Sequence, residues 1–183
     1  MIKNMDTEQN NATSDVLGNI TSFDAMSILR VIIERHKELR GEICKIAKEL
    51  LGDVDPDDIA SDVNYELNSI EVEELWHRSG ATSYGYKDPS EESWVMFEEV
   101  LEPFIDTMEK YQKMGLTKDA KSYCIGIIRG IQEYETTSNS EFKDWAVDAP
   151  NEYIDTVLEK WKVEKPSQSD IAEVEWIINN ESS

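Results

Sequence analysis

Residues 88–134 read DPSEESWVMFEEVLEPFIDTMEKYQKMGLTKDAKSYCIGIIRGIQEY, and this stretch decides the fold. Asp88 is an N-cap, Pro89 suits the first helical position, and a glutamate follows two residues later. Trp94, Phe97, Leu101, Phe104, Met108 and Tyr111 then recur at three-four spacing, with Val100 and Ile105 widening the apolar face. Pro103 falls inside this helix, where it removes a hydrogen bond and predicts a kink. Met114-Gly-Leu-Thr117 is a reversal, Gly115 closing one helix and Thr117 capping the next. The second helix carries Ala120, Tyr123, Cys124, Ile127, Ile131 and Tyr134 inward. Ser122, Gly126 and Gly130 lie one turn apart on one side. Two helix-interior glycines cost about 1 kcal/mol each relative to Ala, which predicts a neighbouring backbone close by. Residues 88–135 therefore read as an antiparallel helical hairpin.

Helical periodicity extends in both directions from there. Upstream, Leu29, Ile32, His36, Leu39, Ile43, Ile46 and Leu50 predict one long helix from Thr21 or Ser22 to Gly52. Asp55 and Pro56 restart the chain. Ile59, Val63 and Leu67 form a stripe that Val72, Leu75 and Trp76 continue to Ser79-Gly80. Downstream come a short helix around Phe142 and Trp145, another from Pro150 with Tyr153, Ile154, Val157, Leu158 and Trp161 inward, and a last one holding Ile171, Val174, Ile177 and Ile178. No segment reads as a strand. The fold class is all-α, antiparallel hairpins stacked as a short α-solenoid or an irregular bundle. Residues 1–20, polar and aperiodic, read as a disordered leader, and residues 21–183 as one domain.

Composition bounds the function. The 183 residues carry 39 Asp+Glu against 18 Lys+Arg, a net charge of −21. A phosphate-tracking nucleic-acid binder or an anionic-membrane binder relies on a basic face, so both are excluded as defaults. No apolar run is long enough to span a bilayer, and the N-terminus lacks the apolar core of a secretory signal. Cys44 and Cys124 sit in apolar helical patterns and read as buried free thiols of a reducing cytoplasm. The charge is local. The first helix is close to neutral, whereas Asp53 to Leu75 holds nine acids and no base. The helix from Asp88 and the tail beyond residue 140 are also acid-rich, a pattern fit for a basic partner.

Glu102-Pro-Phe-Ile-Asp-Thr-Met108 aligns with Asn151-Glu-Tyr-Ile-Asp-Thr-Val157, an offset in the range of helix-pair repeats. Two short copies leave both a repeat and a coincidence open. Tyr84-Gly-Tyr-Lys-Asp-Pro-Ser-Glu-Glu-Ser-Trp94, Glu102-Pro-Phe-Ile-Asp106 and Gly115-Leu-Thr-Lys-Asp-Ala120 resemble the helical region of prokaryotic SWIM zinc-finger proteins and their relatives, over roughly residues 24–162. The resemblance implies a tetratricopeptide-like or HEAT-like array of unassigned role. It carries no zinc function, because the Cys-x-Cys and Cys-x-His ligands of the finger are absent.

Candidate chemistry is sparse. His36 lies on an apolar seam and reads as a core histidine. His77 stands near a helix C-terminus, where a cation is favoured. Glu74-x-x-His77 matches one half of a di-iron motif, but the second half is missing because Ile33 stands where His36 would need a Glu. Asp53, Asp55, Asp57, Asp58 and Asp62 lack the Gly and Glu of a calcium loop and read as helix capping. No phosphate loop, nucleophile elbow or Cys-x-x-Cys occurs. The expectation is a scaffold without cofactor that binds a protein partner of basic character, or a second copy of itself. Its candidate surface comprises Trp76, Tyr84, Tyr86, Asp57, Asp58, Asp62, Glu98 and Glu102. An acidic mimic of nucleic acid is the alternative, and a metal-dependent enzyme near His77 a lesser one.

Overall fold

In the computed structural model the Asp88 carboxylate accepts from the Ser90 N–H at 2.8 Å and launches α5, Pro89–Lys113. The structure describes residues 18–82 and 85–180. Helix α5 runs unbroken through Pro103, which is exposed. It ends as its glycine predicts. Gly115, at φ +71°, donates to the Gln112 carbonyl and Leu116 donates to the Tyr111 carbonyl, a Schellman closure. Helix α6, Thr117–Thr137, follows at once. Its N-cap is Leu116 rather than Thr117, because the closure leaves Thr117 already inside the first turn and no side chain caps it.

The described chain divides into two units at Leu50/Leu51, where the sequence reads as one domain from residue 21. In the first, the predicted single helix is broken. Helix α1, Ser22–Arg35, begins with a capping box between Thr21 and Asp24. His36 leaves helical geometry at φ −120°, ψ 74°, a 3₁₀ turn spans Lys37–Leu39, and α2 runs Arg40–Leu51. Arg40 Nε donates to the Ile33 carbonyl at 3.1 Å, taking up an acceptor that the end of α1 releases. His36 is exposed and pairs with Glu38 at 3.0 Å, so it is not a core histidine. No residue of α1 or α2 is buried, and Cys44 is exposed, contrary to the reading of its seam as core. The leader read for residues 1–20 lies outside the described residues up to 17.

The second unit is a bundle assembled on α6. Helices α3 (Pro56–Asn68), α5, α7 (Ala149–Lys162) and α8 (Gln168–Asn180) all pack against it. In a solenoid each pair touches only its sequence neighbours, so a shared central helix makes this an irregular bundle. Ile127, Ile128 and Ile131 of α6 are fully buried with Phe97, Leu101 and Met108 of α5 and Val157 of α7. Each such side chain contributes about 1.5–3 kcal/mol.

The glycines of α6 admit α3. A Cβ at Gly126 would lie 2.6 Å from Ile59 Cβ and 2.7 Å from the Pro56 carbonyl oxygen. At Gly130 it would lie 2.6 Å from Val63 Cβ and 2.7 Å from the Ala60 carbonyl oxygen. The connection into α3 is tied down as well. The buried Asp119 carboxylate accepts from the Asp53 N–H at 2.8 Å, holding Asp53 at φ +74°, and Asp55 caps α3 through the Asp57 N–H.

The stripe read as continuous from Ile59 to Trp76 is two helices. Ser69 ends α3, Ile70 is buried between them, and α4 covers Val72–Arg78. Two strands were not foreseen. β1 (Gly80–Thr82) pairs antiparallel with β2 (Gly85–Lys87) in the register Gly80 to Lys87. Three residues each, with glycine at both starts, give no alternation to detect.

Candidate interaction surface

Helix α4 and the hairpin are fastened to the start of α5 by charge. Glu92 is buried between two cations, with Lys87 Nζ at 2.9 Å and Arg78 at 3.9 Å. Arg78 also reaches Glu74 at 2.8 Å and Glu99 at 2.6 Å. Those carboxylates hold its guanidinium charged over a wider pH range than usual, the bond to Glu99 foremost. Ser93, fully buried, approaches the Trp145 carbonyl at 2.8 Å and the Ser90 carbonyl at 2.7 Å. The 3₁₀ turn Glu141–Asp144 and the following Trp145 are thereby set against α5.

These restraints position two tryptophans. The rings of Trp76 and Trp145 meet edge to face, centroids 4.7 Å apart at 80°. Such a pair contributes about 0.5–1.5 kcal/mol beyond its buried area. Trp76 nonetheless keeps 50% of its surface open. Val147, two residues past Trp145, and Tyr86 on β2 are more exposed still. Glu71, Glu73 and Glu74 flank Trp76 in sequence, and Asp144 and Asp148 flank Trp145 and Val147.

The other predicted surface residues lie elsewhere on the bundle. Asp57 pairs with Arg129 of α6 at 2.8 Å beside an open cleft of about 380 Å³ lined by Ala60, Ser61 and Glu133. Asp58 and Asp62 are exposed on α3, and Glu102 on α5. Glu98 meets Tyr153 of α7; burial, and then this carboxylate, pushes the Tyr153 phenol up to about 12. Tyr84 lies outside the described residues. The seven described residues do not share one pocket. Sequence reasoning missed Trp145 as the partner of Trp76, and missed the Arg78, Lys87 and Glu92 cluster that fixes both. No signal in the sequence pairs residues so far apart.

The other candidates lie apart from one another among the described residues. His77 is exposed, and Glu74 of the half-motif is committed to Arg78. Among the described residues no three His, Cys, Asp or Glu side chains converge as metal ligands. Burial pushes the Cys124 thiol far above its ordinary range, which keeps it protonated inside the core. A second cleft, of about 440 Å³, lies against Trp161, Gln112 and Asp170, and neither cleft is lined by histidine or cysteine. Among the described residues no helix is long and apolar enough to cross a membrane. No protein-family model, curated protein or solved structure matches the chain.

Proposed function

We propose that this chain is a non-enzymatic protein-binding module that offers a tryptophan-centred, acidic surface to a basic partner. The observation that carries the reading is Trp76, half exposed yet packed edge to face on Trp145. Tryptophan dominates the energetic centres of protein interfaces, and an ordered ring loses little entropy on binding. The bases that fasten α4 and the hairpin, Arg78 and Lys87, are already paired with Glu74, Glu92 and Glu99. An approaching protein therefore meets a fixed aromatic in a negative field. The field accelerates encounter with a basic partner and the apolar contact supplies the affinity.

The alternative, an acidic mimic of nucleic acid, is less well supported. On α5, Glu91, Glu98, Glu102, Asp106 and Glu109 follow one outer side over roughly 27 Å at 1.5 Å per residue. That is about one charge per 5 Å, against one per 1.7 Å of duplex DNA. Glu109 is moreover countered by Lys113 at 3.1 Å and Lys160 at 3.6 Å.

The test is affinity capture with the immobilised full chain and its Trp76→Ala variant from an extract of the source cells, at about 50 and 300 mM salt. A basic protein held by wild type at low salt and lost from the variant supports the reading. Equal capture by both chains, or none by either, refutes it.

A further inference from the structure

Residues 22–51 pose a separate problem. Helices α1 and α2 bury nothing, although both are amphipathic. At 100° per residue Met26, Ile28, Leu29 and Ile32 share one broad side of α1, and Ile43, Ile46, Leu50 and Leu51 one side of α2. Phe23 and Leu50 are each 79% exposed. Helices of 14 and 12 residues are marginal by themselves in water, so their apolar sides need cover.

Charge narrows the choice of cover. Residues 21–51 carry six Lys or Arg against five Asp or Glu, a net of +1. Residues 52–183 carry eleven against 31, a net of −20. Two copies meeting through the acidic part would set −20 against −20. Two copies meeting through residues 22–51 join near-neutral surfaces with both signs interleaved. Nine large apolar side chains from Phe23 to Leu51 stand more than a third exposed. Those on the two apolar sides supply part of the roughly 800 Å² that each partner gives to a stable interface of ordinary size.

We propose that residues 22–51 are a dimerisation arm that pairs with the same segment of a second copy of this chain. The interface is isologous, as in most two-fold dimers. It is independent of the Trp76 surface, and either proposal can fail without the other. Cys44, exposed on α2 at the edge of the apolar side, lies at this interface and gives it a reporter.

Sedimentation of the full chain from about 1 to 100 µM in 0.15 M salt tests it, alongside a Leu29→Glu, Ile46→Glu double variant. The expected species is twice the 21.0 kDa chain mass, reverting to monomer in the variant. All five tryptophans follow residue 52, so their fluorescence reports whether the acidic part stays folded in the variant. A short thiol-specific cross-linker should join wild-type chains through Cys44, a readout that needs no core substitution. A wild-type monomer at 100 µM overturns the proposal. So does a dimer that survives the double substitution, or an arm protected from hydrogen exchange within a monomer, which would mean that the chain covers its own arm.

Discussion

Replacing Gly126 or Gly130 by alanine sets two known effects against each other, and the geometry decides the sign. Helix propensity alone favours alanine by about 1 kcal/mol. Against it, each new methyl would sit 2.6–2.7 Å from a Cβ and a backbone carbonyl oxygen of α3. Neither is the loose end of a side chain, so α3 itself must retreat by about 0.8 Å to restore ordinary contact. A gap of that size forfeits a quarter to a half of each dispersion well across the seam. The seam holds Val63 and Leu67, both fully buried. Overpacking of this kind costs about 1–3 kcal/mol, and rigid backbone atoms place it at the upper end. The net expectation is a loss of about 1–2 kcal/mol per site, or a Tm lowered by about 2–8 °C. The double variant should lose about 1 kcal/mol less than the sum, because the second methyl enters space that the first has opened. Urea unfolding followed by tryptophan fluorescence reads these values. Gly41→Ala, with nothing within 4 Å of the added methyl, lies in the separate arm, where propensity acts unopposed and circular dichroism should show more helix. If Gly126→Ala and Gly130→Ala each stabilise by about 1 kcal/mol, propensity has won and the close approach of α3 is refuted.

Other expectations follow from single sites. The Tyr134 hydroxyl is buried with no hydrogen-bond partner among the described residues, and burial pushes its phenol up to about 12. Tyr134→Phe should therefore stabilise by about 1 kcal/mol in the same urea assay, and a loss would show that the hydroxyl is satisfied. Asp119→Ala should cost about 1–3 kcal/mol by orphaning the Asp53 N–H, with Asp119→Asn recovering part of it. A thiol reagent should titrate one cysteine in the native protein, Cys44, and a second only after unfolding, since Cys124 is buried. Asp170 is held below its usual range chiefly by Lys121, and Glu109 chiefly by Lys113. A depressed carboxyl stabilises fully above its unfolded value and loses that contribution as pH falls through the folded one. The urea midpoint should thus fall below about pH 4, and less steeply in Lys121→Ala; an unchanged slope in that variant removes the pairing from the account.

How far the fold could be read from the chain depended on where tertiary contacts reinforced local preference. The 88–135 hairpin was legible because its caps, its turn glycine and its apolar face all agree. The paired glycines of α6 announced a close neighbour but could not name it, since α3 lies some seventy residues upstream. The break at His36 carries neither glycine nor proline. A continuous apolar seam therefore read as one buried helix, whereas the arm buries nothing in the single chain. The acidic surface was legible from charge alone. Trp76 was legible as a candidate, but its support was not: Trp145 meets it only through the fold, held there by Ser93, and Arg78 beside it pairs with Glu92 only through the fold.

The central claim is that this protein acts by binding another protein through Trp76 and the acids around it. Calorimetric titration of the captured partner against wild type and Trp76→Ala, at low and high salt, tests it most directly. The expected result is an affinity at least tenfold weaker for the variant and a Kd that rises about tenfold between 50 and 300 mM salt. Binding indifferent to both the tryptophan and the salt would contradict it.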